Sequence, residues 1–169
     1  MMLEKQPVVT QAKLLADDAL VVALWSRYLA SMRALHDRPS ACRHYHTVGQ
    51  ASSTEFVAAR REIEAASRAA RTAYFSGLHN LAAGTAPKSP SPDTLAALLE
   101  KSTALGQPLT MAEWTVIKAG GRTAASDTLL CAANVKLFEN ILALPEGEAA
   151  ALIRGYWGAW LLEPRAPPT

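Results

Sequence analysis

The sequence predicts an all-α fold, a single-domain bundle or orthogonal array of five to six helices, and three observations carry that prediction. Alanine supplies 33 of the 169 residues, and it loses no side-chain entropy on entering a helix. Apolar residues recur at steps of three and four along most of the chain. Capping residues, prolines and glycines stand where those periodic runs start and stop. Half the residues are hydrophobic and 19% are charged, which supplies a core and argues against general disorder.

The first helix is predicted from Thr10 to His36. Leu14, Val21, Trp25, Tyr28, Met32 and Leu35 form its seam, and Leu15, Val22 and Leu29 widen it into a face broad enough for a core. Asp37, Arg38 and Pro39 mark its end. The stretch from Pro39 to Ser53 shows no clear helical period and reads as a long loop, a setting in which function is common. A second helix follows from Ser53 or Thr54 to Ala82. Its seam of Phe56, Ala59, Ile63, Ala66, Ala70, Ala73 and Gly77 is dominated by small side chains, which would let a neighbouring backbone come close and make this the central helix. Glu64 and Arg68 are spaced for an i,i+4 ion pair on its outer surface.

Gly84 to Pro92 is rich in proline and reads as a connector. A third helix begins at Ser91 or Pro92 and reaches Ala104, with Leu95, Leu98 and Leu99 facing inward, and Gly106-Gln107-Pro108 breaks it. Thr110 starts the fourth, because Glu113 three residues later completes a capping box; Trp114 and Ile117 anchor it, and Gly120-Gly121 ends it. Thr123 to Leu142 continues through Leu130, Ala133, Leu137 and Ile141. The last helix opens on Pro145, Glu146 and Glu148, a proline and acids suited to a helix start. Leu152, Ile153, Tyr156, Trp157, Trp160 and Leu161 form its heavy face. The helical domain is assigned to residues 8–163 and a flexible tail to 164–169.

Seventeen basic and fifteen acidic residues leave a formal charge of +2, too balanced to point to nucleic acid or an acidic membrane surface. Charged residues interrupt every apolar patch well before eighteen residues, so no membrane span is expected. Met1 to Val9 lacks the pattern of a secretory signal, and Cys42 and Cys131 do not make a disulfide framework. The expected setting is therefore the cytoplasm, with both cysteines reduced.

Cys42-Arg43-His44-Tyr45-His46 is the densest chemical cluster. If that stretch is extended, Cys42, His44 and His46 project to one side and offer a sulfur and two imidazoles to zinc. A fourth ligand is not identifiable, and Arg38 and Arg43 would oppose a cation. The plain alternative is a polar loop around a partly buried cysteine, and it is favoured. Cys42 as a nucleophile activated by a histidine would also need an oxyanion donor, which the sequence does not reveal.

Thr110 to Lys118, the Gly120-Gly121 turn and Thr123 to Leu137 share the outline of a helix–turn–helix. Arg122, Thr123, Ser126 and Asp127 stand where a reading helix meets base edges, but Leu129, Leu130, Cys131 and Ala132 turn the element apolar, so core packing is preferred. The aromatic residues point elsewhere. Trp25, Tyr156, Trp157 and Trp160 could anchor a contact with a protein partner or a second copy of the chain, a homodimer being the simplest case. The functional expectation is a non-enzymatic helical interaction module, such as an adaptor, inhibitor or regulator, with no cofactor. A zinc-binding protein or small enzyme built on Cys42, His44 and His46 is one alternative, and a nucleic-acid-binding regulator is the other.

Overall fold

The computed structural model describes residues 15–48, 54–79, 88–119 and 126–162. Among them the chain is all-helical, with eight helices and no strand: α1 (Asp18–Ala34), α2 (Pro39–Val48), α3 (Thr54–Ala66), α4 (Arg68–His79), α5 (Pro92–Leu105), α6 (Met111–Lys118), α7 (Asp127–Leu142) and α8 (Glu146–Leu162). Five to six helices were too few for two physical reasons: one expected loop is a helix, and one expected helix is two. Leu14, Phe56, the Gly120-Gly121 turn, residues 84–87 of the Gly84–Pro92 connector and the 164–169 tail fall outside what is described, in whole or in their side chains.

Helix α1 starts later than the apolar period suggests. Asp17 holds an extended backbone and its Oδ1 accepts the Leu20 N–H at 2.8 Å, which satisfies an otherwise orphan donor at the helix start. Arg154 on α8 then ties this end down, donating from Nε to the Leu15 carbonyl and from Nη2 to Asp18 Oδ1. From there α1 buries Leu20, Val21, Leu24, Trp25, Leu29 and Met32.

The stretch expected to be a loop is helix α2. Pro39 is its first residue, where a missing N–H costs nothing, and the Arg38 carbonyl accepts the Cys42 N–H at 3.0 Å. Read this way, Pro39 opens a helix as well as closing the one before it. Its inward residues, Ala41, Cys42 and Tyr45, fall at helical spacing.

The expected second helix divides at Ser67. The Ser67 hydroxyl donates to the Ile63 carbonyl at 2.7 Å, a back-bond that bends helices. Backbone bonds still run through the bend, from Ser67 N–H to Ile63 O and from Arg71 N–H to Ser67 O. The inward face follows the 3.6-residue turn and not a strict heptad: Ala59, Ile63, Ser67 and Tyr74 are buried, while Ala66 and Ala73 are exposed. Glu64 pairs with Arg60 at 3.1 Å rather than with Arg68.

This helix pair is not the centre either. Helix α1 is, in contact with α2, α3, α4, α7 and α8. Helices α1, α7 and α8 touch one another, α5 covers α7 and α8, and α6 and α2 each add to α7. The small-residue argument does hold at Gly77, where an added Cβ would lie 2.8 Å from Leu20 Cδ1.

The remaining boundaries follow their caps. Ser91 caps α5 with Pro92 next, Thr110 and Glu113 form the capping box of α6, and Ser126 caps α7. The α5–α6 corner is held by Asn140 of α7, whose amide accepts the Gln107 N–H at 2.8 Å and donates to the Gln107 carbonyl at 2.7 Å. No described helix is long and apolar enough to cross a membrane.

Candidate interaction site

The aromatic residues assemble around α1. The Trp25 ring stacks on Phe138 of α7 with centroids 4.1 Å apart and meets Trp157 of α8 at 4.9 Å. Tyr28 lies edge-on to Trp25 at 6.4 Å and tilted against Tyr45 of α2 at 6.0 Å. On the far side Trp157 meets Tyr156 edge-on at 5.6 Å. Such pairs add about 0.5–1.5 kcal/mol each beyond the area they bury.

These four candidate anchors do not share one fate. Trp25 is 1% exposed and is enclosed by the chain's own core, so it is corrected from an interface anchor to a packing centre. Trp157 is half-buried against that core. Tyr156 stands 48% exposed. The side chain of Trp160 lies outside the described residues.

The position of Tyr156 on its helix makes that exposure informative. Ala149, Leu152 and Ile153 are all buried, and they stand seven, four and three residues before Tyr156, which places all four on one helical face. Tyr156 is thus in phase with the core face, yet about half of it is left exposed. The apolar face of α8 continues past the layer on which it packs. Leu105 and Met111 are also exposed, at the two sides of the α5–α6 corner. The apolar period extends the inward face of α5 to Leu105, which is instead 54% exposed, and sequence reading did not single out Met111.

The metal expectation rested on an extended strand, and the helix removes its geometry. Residues 39–48 form helix α2 instead of a strand. Cys42 is bonded to Cys131 of α7, with an S–S distance of 2.03 Å and Cα atoms 5.9 Å apart. The cysteines are therefore paired rather than reduced, and Cys42 has no thiolate to offer as ligand or nucleophile. The His44 and His46 side chains lie outside the described residues. Both sulfurs are enclosed. Spacing in sequence carried no signal for a bond that spans 89 residues.

Beside the bond, Arg43 Nη1 meets Asp127 Oδ1 at 2.6 Å. This occupies one of the polar residues that a nucleic-acid-reading α7 would present. The rest of α7 is embedded among α1, α2, α5, α6 and α8, so the helix–turn–helix outline corresponds to a core helix.

A shallow groove of 360 Å³ between α1 and α7 is lined by Ser26, Leu29, Ala30, Arg33, Glu139 and Leu142. Arg33 bridges it to Glu139, donating from both Nε and Nη2 to Oε1. Elsewhere Lys136 Nζ sits 2.7 Å from Glu113 Oε1. The Lys136 hydrogen bond holds the Glu113 carboxyl below its ordinary range, and the Thr110 backbone N–H adds to this. Burial pushes the Tyr74 phenol up to about 12, against the pull of Arg27. Comparison with known proteins returns no matching family model, curated protein or solved structure.

Proposed function

We propose that the chain is a helical protein–protein interaction module whose contact surface is the outer part of α8, centred on Tyr156 with Trp157 beside it. One observation carries this reading: Tyr156 continues the face of Ala149, Leu152 and Ile153 but is half-exposed. A single exposed apolar residue is ordinary on a protein surface. An aromatic residue in register with a core face, backed edge-on by a second aromatic, has the make-up of an interface anchor, because such residues bury much area with little side-chain freedom to lose. A second copy of the chain is the simplest occupant, and a two-fold axis would set one α8 face against another.

Sedimentation equilibrium of the full chain and of Tyr156→Glu tests this. The wild type is expected to show a concentration-dependent rise in mass toward a dimer, and the charged variant is expected to stay monomeric with its helical content intact. A wild type that remains monomeric to high concentration and carries no co-purifying protein contradicts the reading.

A further inference from the structure

We infer that the Cys42–Cys131 bond is a permanent structural staple, formed while the chain folds, and that the protein works in an oxidising compartment rather than in the cytoplasm expected from its sequence.

Three observations carry this, and none involves the exposed face of α8. The bond lies inside the core: Cys42 is 0% and Cys131 4% exposed, and both belong to the cluster that holds Trp25, Leu137 and Ile141. Redox-sensing cysteines stand where solvent and a second thiol can reach them, and enclosure removes that access. The chain has two cysteines, so it carries no third thiol to attack the bond, as a relay of disulfides within one chain would need. Finally, the bond joins positions 89 residues apart on helices that pack directly on each other. Their Cα atoms stand 5.9 Å apart, an ordinary bridging distance. A cross-link over so long a stretch removes much of the freedom of the unfolded chain, which places it among the more stabilising disulfides. Such a bond persists where thiols are kept oxidised, whereas the cytosolic thiol pool keeps cysteines reduced before a chain can close over them.

Formation of the bond is thiol–disulfide exchange with a disulfide-bearing oxidant. The thiolate of one cysteine attacks that disulfide, forming a mixed disulfide and releasing one oxidant sulfur as a thiolate, which takes up a proton. The thiolate of the other cysteine then attacks the bonded cysteine sulfur, and the second oxidant sulfur leaves and is protonated in turn. The chain loses two electrons and two protons, and the oxidant is reduced to two thiols. Because the folded chain encloses both sulfurs, the oxidant acts before α2 and α7 close on one another.

The thiol state of the chain in the cells that naturally make it tests the inference without any variant. Cells are quenched in acid, free thiols are tagged with a mass-shifting maleimide, and the chain is followed by immunoblot; parallel fractionation with an alkylating agent present locates it. The expected result is an untagged chain outside the cytosolic fraction, gaining two tags once denatured and reduced with dithiothreitol. Two tags on the acid-quenched chain overturn the inference, and so does an untagged chain confined to the cytosolic fraction. Thermal unfolding of the purified full chain, before and after complete reduction with thiols counted, tests the staple itself. The melting temperature should fall by about 10–15 °C on reduction, and outright unfolding counts as the same outcome. An unchanged melting temperature in fully reduced protein contradicts a structural role for the bond.

Discussion

Gly106 closes α5 with its Cα facing Asn140, and a Cβ added there would lie 1.9 Å from Asn140 Oδ1 and 3.2 Å from Asn140 Cα. The side-chain amide would have to leave Gln107, whose N–H and carbonyl it holds at once. Gly106→Ala should therefore destabilise the chain by about 1–3 kcal/mol in urea unfolding, the range for stranding a buried polar partner. In the sequence Gly106 is legible as a helix stop, but Asn140 as its partner is not, because the two meet only through the tertiary packing of α5 on α7. Glu113 is a second such case. Its capping role is local and readable from Thr110, whereas Lys136 reaches it from another helix. With the native carboxyl held below the ordinary value of 4.5, the unfolded state binds the proton first as pH falls. The stability this group contributes is complete above about pH 4.5 and is lost as pH drops through the native value. Glu113→Gln keeps the cap and removes the charge. The gap in melting temperature between wild type and variant should be largest near neutral pH and should narrow below about pH 4.5.

Helix starts were the most legible elements, since a cap acts on residues within one turn. Ser91, Thr110 and Pro145 each announce a helix that the structure contains. Thr110→Ala, which deletes the hydroxyl that accepts the Glu113 N–H at 3.2 Å, should cost about 1 kcal/mol in denaturant midpoint analysis with an unchanged slope. Two elements escaped because one residue served two purposes. Pro39 terminates one helix and begins another, and Ser67 continues the backbone bonds while bending the axis. A heptad series drifts about 20° per repeat against a 3.6-residue helix, so the small-residue series through Ala66 and Ala73 slipped off the inward face, on which Ser67 and Tyr74 stand. The breadth of the α1 apolar face signalled a core helix, but the alanine series in α3 and α4 was read as the central one. Small residues permit close approach without saying how many neighbours approach.

At the scale of the molecule, three helices, α1, α7 and α8, hold the aromatic centre, and the other five add to them. Nothing in the spacing of Cys42 and Cys131 could reveal their bond, since it depends on α2 folding as a helix and docking on the first turns of α7. The aromatic face of α8 was legible as a face; which of its residues would remain uncovered was not, because coverage depends on how far the neighbouring helices extend. That uncovered continuation is the central claim. It is tested most directly by hydroxyl-radical footprinting of the wild-type chain across a hundredfold range of concentration, read residue by residue. The account predicts that Tyr156 oxidation falls as concentration rises, while oxidation of Met111, exposed at 81% on a separate corner, stays constant. Equal labelling of Tyr156 at every concentration, in protein whose mass nonetheless increases, would contradict α8 as the contact surface.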